Sequence, residues 1–339
     1  MKFTARVSAN FLERIAERTS PFHLGYLAYR DRQISWDELV ARLPHIAMLG
    51  DSVCMDMYIS SPWSTFWRAH TRRGRNWFLN FDTSPDICSI SKRLETITPF
   101  VAIECAGVGA LVDHPRTRQS FFRRILGTRN FSGQVTRLIQ LRRFPDLVLI
   151  SIGHNNVDWA WRCPPHELGA SERRLHRLSK ELRQSYARQL RRILQRAAIA
   201  NRRVSVLVYG LINFGFYFKG REEAERLREF DTRLYPHLET TYKYFVSFHP
   251  DYRRNLIRLA SMVNEELRMM VEQLQGEVSG NIQVRYSDAL ATADLSRAEL
   301  LHPIDGWHAS VEGHNVLAQA AFGDLGPSLE FLGIHRPSH

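Results

Sequence analysis

Cysteine is scarce in this 339-residue chain: Cys54, Cys88, Cys105 and Cys163 lie far apart, and no two form a C-x-x-C pair. That spacing excludes the common zinc motifs and a disulfide scaffold, and leads to the expectation of reduced thiols in a cytoplasmic protein. Long apolar runs are also missing. The longest, such as 204–211, are strand-sized and far short of the ~20 residues that span a bilayer, so no transmembrane segment is expected. Residues 1–20 scatter Lys2, Arg6, Glu13, Arg14, Glu17 and Arg18 among apolar positions and lack the apolar core of a secretory leader. No repeat and no Gly-, Ser- or Pro-rich linker divides the chain.

Acidic residues are in deficit: 46 Lys and Arg against 35 Asp and Glu leave a net charge of +11. Such an excess invites a nucleic-acid or anionic-surface reading. Between Arg173 and Arg203, however, most arginines fall between Leu175, Leu178, Leu182, Tyr186 and Leu190, an apolar stripe at helical spacing. A solvated outer helix face is therefore preferred. The aromatics that a nucleic-acid surface would interleave with these cations sit in another segment, which disfavours nucleic acid as a partner. With 44% hydrophobic and 24% charged residues, the composition is that of a folded globular protein.

Short aliphatic runs alternate with long amphipathic stretches. Strands are predicted at His45–Leu49, Phe100–Cys105, Leu147–Ile152, Val204–Tyr209 and Ile282–Tyr286. Most are dense in Val, Ile and Leu rather than alternating with polar residues, as in parallel strands covered on both faces. Helices are predicted at Pro62–His70, Thr117–Leu126, Ser171–Ala198 and Arg254–Leu274, with a capping box at Ser35-Trp36-Asp37-Glu38. The pattern is an open, doubly wound α/β domain over 45–330, preceded by a helical extension over 1–44. An insertion at 213–252 holds eleven aromatics in forty residues, among them Phe214 and Phe216. It reads either as a hydrophobic satellite or as a wall for an acyl or sugar group.

Four short motifs carry chemistry. Gly50-Asp51-Ser52 follows the first long strand, where a Ser would sit at a sheet edge beside outward-pointing N–H groups. By itself it is equally a strand-to-helix turn with an N-cap. Ala106-Gly107-Val108-Gly109 follows the second; Val112 occupies the third glycine position of a dinucleotide fingerprint, so that reading fails. Gly153-His154-Asn155-Asn156 follows the third, placing an amide donor at a strand's carboxyl end. Asp305-Gly306-Trp307-His308 sets a carboxylate and an imidazole within one turn, as a base and its orienter require. His302, His308 and His314 recur every six residues, a spacing that does not suit one helix face, and no Cys or Glu cluster accompanies them. No metal is expected.

In this order the motifs resemble the SGNH/GDSL hydrolase family, over about residues 45–325. The resemblance implies a three-layer α/β/α, flavodoxin-like sheet of about five parallel strands and a serine esterase that needs no cofactor. Ser52 would be the nucleophile, His308 its base and Asp305 the orienter of His308. The backbone N–H groups of Ser52 and Gly109 with the Asn155 amide would form the oxyanion hole. Asp51, His154, Phe214, Phe216 and Trp307 are candidate substrate-binding residues. Substrates would be short acyl, O-acetyl carbohydrate or lipid esters. An O-acyltransferase using the same site, or a catalytically weak binder of an anionic ligand, are the alternatives. Two departures stand out: Asn156 replaces the family's usual Asp, and Glu104 stands where Asn is frequent.

Overall fold

The computed structural model describes residues 5–7, 16, 22–55, 76–79, 86–107, 109–112, 130–160, 171–234, 250–303, 306 and 308–334. The predicted helices at Pro62–His70 and Thr117–Leu126 lie outside them, as do Asp305, Trp307 and the aromatics of 235–249.

Six strands form one sheet in the order β1-β3-β2-β4-β5-β6: β1 (Ala5–Val7), β2 (His45–Gly50), β3 (Val101–Glu104), β4 (Leu147–Ser151), β5 (Val204–Tyr209) and β6 (Ile282–Ser287). All five predicted strands are present, and their mutual pairings are parallel. Every residue of β2, β4 and β5 is buried, which is why these segments read as continuous apolar runs with no alternation. One hydrophobic cluster runs through the whole sheet and its helices.

The helical extension expected over 1–44 also contributes β1, whose residues Ala5–Val7 pair antiparallel with β3 as an edge strand. Three residues with an arginine at the centre leave too short a signal for a strand. Helices α1 (His23–Arg30) and α2 (Trp36–Val40) follow it. The capping box at α2 forms: Ser35 Oγ accepts from the Glu38 N–H, and the Glu38 carboxylate accepts from the Ser35 N–H.

The other helices are α3 (Ile90–Glu95), α4 (Phe131–Ile139), α5 (His154–Ala160), α6 (Ser171–Ala198), α7 (Phe214–Phe230), α8 (Pro250–Glu277), α9 (Ala289–Thr292), α10 (Val311–Gly323) and α11 (Gly326–Leu332). In α6, Leu175, Leu182, Tyr186 and Leu190 are buried while Arg173, Arg177, Arg188 and Arg191 are exposed. Two of the α6 arginines meet acids on the neighbouring α8: Arg183 pairs with Glu266 at 2.9 Å and Arg191 with Glu277 at 3.4 Å. Among the described residues, no helix is long and apolar enough to cross a membrane.

The strand order sets where a ligand can bind. From β2 the chain steps to β3 on one side and then to β4 on the other, so the crevice of such a sheet opens at the carboxyl ends of β2 and β4. Ser52 lies just past one of these ends and Gly153 just past the other.

Candidate active site

The turn after β2 is built by close backbone approach. A Cβ on Gly50 would sit 2.8 Å from the Ser151 carbonyl oxygen and 2.6 Å from Cys54 Sγ. Gln134 of α4 holds the Gly50 peptide groups: its Oε1 accepts from the Gly50 N–H at 2.9 Å, and its Nε2 donates to the Gly50 carbonyl at 2.8 Å. The same carbonyl accepts from the Gly107 N–H at 3.0 Å, tying the turns after β2 and β3 together. Asp51 caps the short 3-10 turn Ser52–Cys54 by accepting from the Val53 N–H at 3.1 Å. Burial pushes the Cys54 thiol well up, with the Asp51 charge adding to it. Cys54 is therefore held as a thiol, leaving Ser52 as the nucleophile candidate of this turn.

Asp51 has a second, larger task. It is fully buried, and its Oδ2 accepts from the Gly153 N–H at 3.1 Å, the His154 N–H at 3.2 Å and His154 Nδ1 at 3.0 Å. His154 Nε2 in turn accepts from the Ile212 N–H at 3.2 Å. A backbone N–H can only donate, so Nε2 carries the lone pair and Nδ1 the proton. Neutral His154 thus joins the carboxyl ends of β2, β4 and β5. This corrects the substrate-binding expectation for both residues: with Asp51 at 0% and His154 at 3% exposure, their polar atoms hold the framework.

Asn155 and Asn156, in the first turn of α5, reach the turn after β3. Asn155 Nδ2 donates to the Ala110 carbonyl at 3.2 Å, which occupies one of its two amide protons. Asn156 Oδ1 accepts from the Val112 N–H at 2.8 Å, a bond for which the family's Asp would offer an equivalent oxygen. Gly109 lies in this turn at φ 65°, a left-handed conformation that glycine adopts without cost. Among the described residues, neither the Ser52 N–H nor the Gly109 N–H is used in a hydrogen bond.

His308 sits on a loop whose rails are an antiparallel bridge between Leu301 and Ala309, a bond from the His302 N–H to the His308 carbonyl (2.8 Å) and one from the Ser310 N–H to the Leu300 carbonyl (2.9 Å). Trp77 links this region to the nucleophile turn. Its indole N–H donates to the Val53 carbonyl at 2.8 Å, and its backbone N–H donates to His314 Nδ1 at 3.2 Å. Burial, reinforced by His308 and His302, pushes His314 down to about 3, so it is neutral. His308 is half-buried. The order Ser, then Gly, then Asn is drawn together by bonds; Asp305 and Trp307 lie outside the described residues.

Phe214 is likewise corrected as a substrate contact. It is 1% exposed within the main core, and Phe216 packs half-buried against the same core. Phe214, Tyr217 and Phe218 are buried because α7 packs this face against the core. Reading along the chain missed Gln134, Trp77, Tyr217 and Arg221, which serve the site through contacts with distant segments and form no local motif.

The model of GDSL-like lipase/acylhydrolases matches residues 106–321, a span that includes Gly109, Asn155 and His308 and begins after Ser52. No protein of curated function matches the sequence. Similar solved structures include an extracellular lipase from Streptomyces rimosus, at 15% identity and TM-score 0.42 over 82% of this chain and 99% of that one. A carbohydrate esterase of family 3 from Talaromyces cellulolyticus has 15% identity and TM-score 0.40 over 85% and 99%. A phospholipase A1 from Streptomyces albidoflavus NA297 has 12% identity and TM-score 0.41 over 83% and 98%.

Proposed function

The chain belongs to the GDSL-like lipase/acylhydrolase family and is an SGNH-type ester hydrolase, and on that premise we propose that Ser52, His308 and Asp305 form its catalytic triad. Ser52 Oγ attacks the acyl carbonyl while His308 takes the hydroxyl proton and Asp305 orients the imidazole. The tetrahedral oxyanion accepts from the Ser52 and Gly109 N–H groups and from the second Asn155 amide proton. His308 then gives its proton to the departing alcohol, leaving an acyl-serine. Water repeats the sequence with His308 as base, releasing the acid and restoring Ser52.

The observation that carries this reading is the stitching of the first three motifs with donors left over. Gly50 to Gly107, Asp51 to Gly153 and Asn155 to Ala110 are bonded pairs, yet the Ser52 and Gly109 N–H groups are uncommitted among the described residues. Buried turns seldom leave such groups idle. The acyl group is short, acetyl being the reference case, and the alcohol belongs to a small molecule, a carbohydrate or a lipid. The enzyme acts in the cytoplasm, a placement supported by its isolated cysteines, Cys54 and Cys105 being buried free thiols.

The test is fluorophosphonate labelling of the wild type and Ser52→Ala, together with turnover of p-nitrophenyl esters of increasing acyl length. Ser52-dependent labelling and a preference for acetate are expected. Equal labelling of both proteins, or none together with no turnover, rejects the triad. A rising preference for long chains rejects the short-acyl assignment.

A further inference from the structure

We infer that Tyr217 and Arg221 of α7 are positioning residues for the base, forming a clamp on the loop that carries His308; the inference rests on the reading of His308 as that base. The two lie four residues apart, on one face of the helix, and both donate to the same acceptor. The Tyr217 hydroxyl bonds to the Gly306 carbonyl, and Arg221 Nη1 bonds to it at 3.2 Å. Gly306 stands between Asp305 and His308 in the chain, and its carbonyl belongs to the peptide that leads toward the imidazole.

The choice of side chains argues for a role beyond packing. Arg221 is 0% exposed and Tyr217 is 1% exposed. Burying a guanidinium carries a heavy desolvation cost, and an apolar residue of similar volume fills such a position at lower cost. The cation is offset here by the Glu225 carboxylate, 3.5 Å from Arg221 Nε, and by the Gly306 carbonyl. The Glu225 contact is an ion pair within α7, whereas the bond to Gly306 leaves the helix for the loop. A helix with Leu or Met at 221 would still bury its face, but it would not grip a carbonyl.

The loop needs such a grip. Its base is held by the Leu301–Ala309 bridge and the His302-to-His308 bond, whereas its apex is a turn in which the Gly306 N–H donates to the His302 carbonyl at 2.8 Å. Gly306 is in the left-handed region at φ 52°, where the chain has little intrinsic stiffness. Two donors on the apex carbonyl fix the rotation of that peptide plane and, through it, the direction in which the following residues leave the turn. Catalysis by proton transfer is sensitive to misplacement on the ångström scale. In this way α7 acts on the loop from behind, through Tyr217 and Arg221.

The experiment uses the full chain with Tyr217→Phe and Arg221→Lys, and active sites counted by fluorophosphonate titration. Expected is a kcat per titrated site lowered about 10- to 100-fold, with KM within about threefold, for each variant that folds. Thermal unfolding of Tyr217→Phe is expected to stay within a few degrees of wild type. A merely structural role would lower the melting temperature and the number of titratable sites and leave kcat per site unchanged, and that result overturns the clamp.

A second readout is independent of turnover. Histidine ring 1H–15N signals are recorded for wild type and Tyr217→Phe, with His308 assigned from the signals lost in His308→Gln. A shift of the His308 ring signals supports the clamp, and unchanged signals reject it whatever the activity. A wild type without Ser52-dependent turnover would overturn the hydrolase reading alone, while the ring signals still decide the clamp.

Discussion

Asp51 Oδ2 and His154 Nδ1 lie 3.0 Å apart, both fully enclosed, at the point where the carboxyl ends of β2 and β4 meet. Because His154 Nε2 accepts from the Ile212 N–H, the bond runs from a neutral imidazole to a carboxylate, and the pair ties three strands at the crevice edge. The carboxylate that neighbours the candidate nucleophile is thus saturated by donors and held away from the chemistry.

His154→Leu should leave the Ile212 N–H without an acceptor and take a donor from Asp51 Oδ2. Two disrupted buried groups correspond to about 2–4 kcal/mol of lost stability. Urea unfolding at neutral pH measures this, and a loss below about 1 kcal/mol would show that water or a rearranged neighbour replaces the imidazole.

Asn155→Ala removes the one side-chain donor assigned to the oxyanion. The expected outcome is a fall in kcat per folded enzyme of about 10²- to 10³-fold, with about 0.5–1.5 kcal/mol of stability lost with the bond to the Ala110 carbonyl. Asn156→Asp is the matching control, since a carboxylate oxygen can accept from the Val112 N–H as the amide does. Its kcat should stay within about threefold of wild type, because the bond that orients α5 against the β3 turn is retained.

Gly50→Ala introduces a Cβ at 2.8 Å from the Ser151 oxygen, a backbone atom that cannot rotate aside. Relief requires the strand end to shift, at a cost of about 1–3 kcal/mol. The Ser52 turn moves with it. Activity should fall by more than the loss of folded protein explains, which a comparison of kcat per titrated site with the melting curve would reveal.

His314 sets an acid-side instability. Its pKa is about 3 in the folded protein, through burial and the neighbouring His308 and His302, against about 6.5 for an unperturbed histidine. The unfolded chain therefore binds the proton first as pH falls. The stability of neutral His314 is fully present above about pH 6.5 and is lost toward pH 3, at up to about 1.4 kcal/mol per pH unit. Urea midpoints at pH 7 and pH 5 should fall less for His314→Gln than for wild type, and equal falls would refute the assignment.

What this sequence determined by itself is local. Short runs dense in Val, Ile and Leu, such as Leu147–Ser151 and Val204–Tyr209, have the length and β-branched content of strands covered on both faces, and the 28-residue stripe of Ser171–Ala198 is that of a helix burying one side. The motifs at Ser52, Gly109, Asn155 and His308 were legible because each is a short run whose residue types imply chemistry. The edge strand β1 was not, since three residues with a charge at the centre carry no periodicity, and neither were the partners of those motifs.

Tertiary structure decided which polar residues face the crevice and which hold it open. His154 meets a backbone group 58 positions away, and Tyr217 reaches one 89 positions away. Such bonds depend on strand order and helix docking and leave no trace in neighbouring residues. Asp51, His154 and Phe214 sit in or beside chemical-looking motifs, yet each is spent on burial or hydrogen bonding. The physical reason is that desolvation makes an enclosed polar atom costly without a partner, and only the folded chain brings those partners within reach.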